Sequence, residues 1–294
     1  MQRLRNAQAL MPTTIDLHCH STISDGLYSP EELVAYAHLQ GINVLALTDH
    51  DDMGGLKRAR KAAEALGMQF INGVEISVTW KNRTLHIVGL KVDPEYAPLK
   101  TALDAVKHGR LARAKRMAQG LEQAGIVGCF EGAQAIAGNS ILTRSHLARF
   151  LVEAGHVKDV KTVFKKYLVK GKPGFVEHEW MSLETAVTLI KDSGGVAVIA
   201  HPGRYDLGRT NMPLLMHQFR TCGGEAIEVV TGSHTPPQYT QFAKIAHQFS
   251  LKASIGSDFH GPGISYISMG QIADLPTNCV PVWQDWEEAK CLHG

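Results

Sequence analysis

Several things are scarce in this chain, and each scarcity removes a class of protein. Five cysteines, Cys19, Cys129, Cys222, Cys279 and Cys291, are odd in number and form no C-x-x-C pair. That argues against a disulfide framework and a thiolate zinc site, and fits a cytoplasmic, reducing location. No apolar run is long enough to span a bilayer, and residues 1–13 lack a hydrophobic stretch of signal-peptide length. No membrane segment is expected, and that opening stretch reads as a frayed leader with Met11 as an alternative start. Charge of one sign is also missing: 30 Lys and Arg against 28 Asp and Glu leave a formal net charge of +2. Affinity for anions therefore has to come from a local cluster of basic side chains. What remains, 294 residues of which 44% are hydrophobic, is enough for one large core without disulfide help.

Histidine is plentiful, at fifteen residues. Ile15 to His20 begins as a β-branched, alternating strand, and His18 and His20 stand two apart at its C-terminal end. Side chains at i and i+2 of a strand point to the same side, so the pair supplies half of a metal site. Two locally hydrogen-bonded core histidines would produce the same H-x-H. The surroundings decide: Asp25 follows in a Ser-Asp-Gly turn, and further predicted strands carry or end in His50, Glu75, His86, His201, His234, Asp258 and His260. Taken singly, each histidine reads more naturally as a satisfied core or surface residue; taken jointly with three interleaved carboxylates, they do not.

Seven strands are expected, over residues 15–20, 43–47, 69–78, 83–90, 196–200, 226–230 and 252–256, most separated by helices that open at Ser, Thr or Pro and close at Gly. This is the rhythm of an α/β barrel, spanning residues 14–96 and 176–270. Between its halves, residues 97–175 are helical by period and rich in Lys, Arg and Ala, and read as an inserted helical domain. Residues 271–294 form a tail with no legible signal. In such barrels, active sites lie at the C-terminal ends of the strands, where the candidate ligands fall. Nitrogen and oxygen donors without sulfur suit manganese, iron or zinc, and more than six of them call for more than one ion.

Asp16-Leu17-His18-Cys19-His20, Ser24-Asp25-Gly26, Leu47-Thr48-Asp49-His50-Asp51, Gly73-Val74-Glu75, His86-Ile87-Val88-Gly89, Ala200-His201-Pro202-Gly203-Arg204 and Gly256-Ser257-Asp258-Phe259-His260 together resemble the polymerase-and-histidinol-phosphatase (PHP) family. The resemblance implies a distorted seven-stranded β/α barrel, a trinuclear centre of divalent metal ions, with manganese first and iron or zinc as alternatives, and phosphoester hydrolysis. Residues 109–117, 143–146 and 171–174 resemble more narrowly the subgroup acting on 3′,5′-nucleoside bisphosphates or, as 5′-to-3′ exoribonucleases, on short RNA. The resemblance assigns one ion to His18, His20, Glu75 and Asp258. A second would lie between Glu75, His86 and His146, and a third at Asp25, His50 and His260.

His201 and His234 fall outside that set and are candidates for proton transfer or substrate contact, with Arg204 as a catalytic phosphate clamp. The bland alternative for Arg204 is a salt bridge at the barrel rim. Arg110, Arg113 and Arg116 recur every three residues along a helix and, with Arg144 and Lys172, are candidate substrate contacts; a solvated basic face is the plainer reading. A nucleotide or short RNA is the expected partner, and no obligate protein partner is evident. The rival functions are a histidinol-phosphate-type phosphatase, an amidohydrolase, and a nucleotide-binding metal module without turnover.

Overall fold

The computed structural model describes residues 14–138, 140, 142–177 and 180–293; the leader lies outside them. Seven strands form a nearly closed mixed barrel in the order β1 (Ile15–Asp16), β2 (Val44–Leu47), β3 (Gln69–Trp80), β4 (Arg83–Leu90), β6 (Val196–Ile199), β7 (Ala226–Thr231) and β8 (Lys252–Gly256), with a two-residue β5 (Met181–Ser182) paired to β3 off this path. The ring is closed between its ends: Leu17 N–H donates to Ile255 O at 3.2 Å, Asp258 N–H donates to His18 O at 2.8 Å, and Cys19 bridges Phe259. Backbone approach there is close, since a Cβ at Gly256 would lie 2.3 Å from His18 Cβ.

The helical crossovers are α1 (Pro30–Leu39), α2 (Leu56–Ala65), α7 (Leu183–Asp192), α8 (Gly208–Thr221) and α9 (Pro236–Gln248). Ser29 and Glu32 form the capping box expected at the start of α1. One strand departs from the parallel rhythm. β4 pairs antiparallel with both β3 and β6, because β3 and β4 are joined by the two-residue turn Lys81–Asn82, at φ +46° and +60°. Two left-handed residues make the tight hairpin turn that matches strand twist. His86 is therefore carried opposite Ser77 on a hairpin, in register with the strand of Glu75.

Between β4 and β5 lie α3 (Ala97–Gln123), α4 (Cys129–Ala137), α5 (Arg144–Glu153) and α6 (Val160–Val163), the last running into a π-helical turn over Phe164–Leu168. Sequence periodicity passes over α4, whose nine residues begin and end at left-handed glycines. These helices bury a cluster of their own, including Met117, Leu121, Leu147, Leu151 and Leu168. The C-terminal tail is not idle: Ala253 N–H donates to Val280 O at 2.7 Å and Val282 N–H to Ala253 O at 2.8 Å, which seats Trp283 and Trp286 in the barrel's core cluster. Trp283→Ala is expected to lower stability by about 3–5 kcal/mol, the range for emptying a large buried aromatic site. Urea unfolding reads it, and an unchanged midpoint would show the tail to be dispensable.

Candidate metal centre

Strand ends around the barrel mouth aim their polar side chains at Glu75, which is fully buried. His18 Nε2 and His20 Nε2 each lie 3.3 Å from Glu75 Oε2, and 3.5 and 3.2 Å from Asp258 Oδ1. His50 Nδ1 stands 2.9 Å from the same Glu75 oxygen. The other oxygen, Oε1, faces His86 Nδ1 at 2.8 Å and His201 Nε2 at 2.9 Å. A third grouping joins His20, Asp25, His50 and His260, with His260 Nε2 at 3.3 Å from Asp25 Oδ1. Holding these groups strains the backbone: Asp51, His201 and Asp258 adopt φ of +49°, +28° and +55°.

The electrostatics are those of a site made for cations. Burial by itself would raise the Glu75 carboxyl, but the imidazoles of His50, His86 and His18 outweigh it and hold it well below the usual carboxylate range. Burial likewise opposes ionisation of Asp258, and Arg204 and His18 overcome it. His18 Nε2, His20 Nε2, Asp25 Oδ1 and Glu75 Oε2 are buried and complete no hydrogen bond. Buried donor atoms rarely go unpartnered, and a convergent set of nitrogen and oxygen lone pairs fits divalent cations.

Not every expected ligand converges. His146 is buried as the third residue of α5, where its Nδ1 accepts the Thr143 N–H at 3.1 Å. Thr143 Oγ1 lies 3.2 Å from that nitrogen and 3.3 Å from Asp25 Oδ2, and among the described residues His146 joins no cluster of ligand atoms with Glu75 and His86. The imidazole beside His86 at Glu75 is instead His201, which burial, and then Arg204, push down to about 4. His234, the other proton-transfer candidate, has both ring nitrogens engaged: Nε2 accepts from Gly203 N–H at 2.9 Å and Nδ1 donates to Val229 O at 3.0 Å. It holds the turn that carries His201 and Arg204.

A cavity of about 170 Å³ opens over the cluster, and Asp25, His50, His86 and His260 line it together with Arg110, Arg113, Arg144 and Arg204. Arg204 Nη2 lies 2.5 Å from Asp258 Oδ2. Arg110 is tied down: its guanidinium donates to Asp51 and to Ser77 Oγ and lies over Trp180, 4.6 Å from the ring centre. Arg113 also faces Trp180, at 5.5 Å. Burial, and then the guanidinia of Arg144, Arg110 and Arg116, lower Arg113 to about 9, still protonated at neutral pH. Such crowding of like charge is relieved by an anion. Arg116 and Lys172 are exposed and do not line the cavity.

Glu228 is the functional carboxylate that sequence reasoning missed. Buried on β7 beside a bulge, it places Oε1 2.6 Å from His18 Nδ1 and accepts the His201 N–H on Oε2 at 2.5 Å. A lone acid in the apolar run Ala226-Ile227-Glu228-Val229-Val230 was the available signal.

Fold, ligand cluster and arginine-lined cavity together define a metal-dependent hydrolase of the barrel class. The PHP domain model matches residues 16–205, and the chain belongs to the PHP family. It is 50% identical over 274 residues to a 3′,5′-nucleoside bisphosphate phosphatase of Chromobacterium violaceum, covering 93% of this chain and 96% of that relative. With the 5′-3′ exoribonuclease Rnm of Escherichia coli it shares 42% identity over 275 residues, covering 93% and 94%. A solved structure described as an amidohydrolase from Chromobacterium violaceum, with bound sulfate and no metal, superposes with a TM-score of 0.89 at 49% identity, over 92% of this chain and 95% of that one. Another, from Bifidobacterium adolescentis and assigned as a metal-dependent phosphoesterase, gives 0.79 at 26% identity over 95% and 96%.

Imidazole ligands are oriented by carboxylates on their far nitrogen, and losing such a partner typically costs about 10–100-fold in metal affinity or activity. Glu228→Gln is expected to lose metal on that scale while keeping its circular dichroism spectrum. Full metal content and wild-type turnover in this variant would reduce Glu228 to a packing role.

Proposed function

We propose that the protein hydrolyses phosphoric esters of 3′,5′-nucleoside bisphosphates and of short RNA carrying a 5′-phosphate. The observation that carries this reading is the single cavity in which Arg113 and Arg144 face the carboxylate–imidazole cluster. One phosphate fits over the cluster and a second is left for the arginines. The names of the Chromobacterium violaceum and Escherichia coli relatives support the same pair of substrates.

Three cations would be held, one by His18, His20, Glu75 and Asp258, another by Asp25, His50 and His260, and the third by Glu75 with His86 and His201, which share its Oε1. His146 then completes the capping box of α5 with Thr143. Divalent ions held by these residues, manganese before iron or zinc, would supply Lewis-acid charge and lower the pKa of a water that serves as nucleophile near neutral pH. Glu75, held ionised, gives the centre a negative charge that does not have to be created during binding. Glu228 orients His18, and His234 holds the turn beneath Arg204. Arg204, a planar fork beside Asp258, offsets charge on the phosphoryl oxygens as it develops. Arg113 and Arg144 bind the remote phosphate equally in ground and transition state. Location in the cytoplasm is part of this proposal; no helix among the described residues is long and apolar enough to cross a membrane.

Two measurements test the assignment. Charge-assisted hydrogen bonds to a second phosphate contribute about 1.5–3 kcal/mol, or on the order of ten- to a hundredfold in kcat/KM. Adenosine 3′,5′-bisphosphate is therefore expected to exceed adenosine 3′-monophosphate by that factor, with activity lost on chelation and restored by manganese. Equal values for the two nucleotides, or release of ammonia or carboxylate from amides in place of phosphate, would sink the proposal.

The variants separate the arginines. Arg113→Ala and Arg144→Ala are expected to raise KM with little change in kcat, Arg204→Ala to lower kcat, and Arg116→Ala to behave nearly as wild type. A common loss of kcat in all four would refute this division.

A further inference from the structure

The metal cluster and the arginines account for phosphates and leave the base of a nucleotide without a partner. The loop after β8 offers one. Tyr266 is 80% exposed, yet both of its neighbours are anchored. Ser265 Oγ accepts the backbone N–H of His260 at 2.7 Å and of Gly261 at 3.3 Å, and Ile267 packs against the barrel core. The ring is thus held out into solvent by a pinned backbone, one residue beyond a clamp on the candidate ligand His260. Arg204 lies against it, Cζ at 5.9 Å from the ring centre, and Arg204 also lines the cavity. Exposed apolar side chains accompany it: Ile264 in the same loop and Leu27, whose N–H donates to His260 O. The aromatic rings lining the cavity itself are less open to a ligand: Trp180 is buried and Phe164 half-buried.

We infer that Tyr266 is the stacking platform for the base of the nucleoside that carries the reacting phosphate, with Arg204 joining platform and phosphate site. Every base has a π face, so stacking on an exposed tyrosine confers affinity for nucleotides over sugar phosphates without selecting a particular base. Such a platform suits both a mononucleotide and the first residue of an RNA strand. The inference rests on the phosphoesterase reading above, but its test is a binding ratio and does not depend on turnover.

The manganese-loaded protein is titrated calorimetrically with adenosine 5′-monophosphate and with ribose 5-phosphate. Wild type is expected to bind the nucleotide about tenfold more tightly, equivalent to about 1.4 kcal/mol. Tyr266→Ala is expected to bring the ratio near one, and Tyr266→Phe and Tyr266→Trp to keep it, since a merely structural tyrosine has no reason to be replaceable by any aromatic ring. A wild-type ratio near one, or a ratio that survives in Tyr266→Ala, overturns the platform. Absence of phosphate release with the ratio intact would instead refute the hydrolytic reading and leave the platform standing.

Discussion

The structure turns on a carboxylate placed where a carboxylate is costly. Glu75 is fully buried at the mouth of the barrel, and an ionised group taken out of water is tolerated only when opposite charge or strong donors surround it. His18, His20, His50, His86 and His201 meet that need from around the ring, dividing themselves between its two oxygens. The closure of β1 onto β8, the hairpin that turns β4 back along β3 and the strained residues at the strand ends serve this convergence. Its electrostatics suit a bridging ligand between cations: two oxygens, two sets of imidazoles, and a carboxyl kept ionised.

The helical segment completes the site through a few contacts that reach past its own core. Arg110 crosses from α3 to Asp51, next to His50, and to Ser77, two residues beyond Glu75, so that it ties α3 to two strands that carry candidate metal ligands. Spent in this way, Arg110 leaves Arg113 and Arg144 as the guanidinia available to an incoming anion. A helix stripe that looks uniform in one dimension thus divides into a strut, a guanidinium lining the cavity and, at Arg116, a solvated charge.

The tyrosine on the β8 loop extends the same logic outward. Metals and arginines recognise phosphate and say nothing about what the phosphate is attached to. An aromatic surface at the rim adds that information through dispersion and stacking, which depend on the presence of a ring and little on its substituents. The stripe of contacts running from Asp258 through Arg204 to Tyr266 would then give one site access to nucleotides of any base.

Much of this was legible in the chain because it is local. Strand and helix periods, the cap at Ser29, the alternation that puts His18 and His20 on one side, and the recurrence of acids and histidines at strand ends all depend on neighbours a few residues away, and they determined a barrel with its polar groups at one mouth. Where the outcome hung on which distant groups meet, the one-dimensional pattern could not distinguish the candidates. The resemblance assigns His146 a ligand role and leaves His201 outside the set; in the fold the capping box of α5 engages His146, and the turn after β6 delivers His201 to Glu75. Glu228 acquires its role only because closure of the barrel brings its side chain from β7, two strands from β1, to His18, and Trp283 enters the core only because the tail pairs with β8. Patterning within a segment is set by the geometry of its own backbone, whereas the pairing of charges, rings and lone pairs across the barrel is set by closure, which only the folded chain achieves.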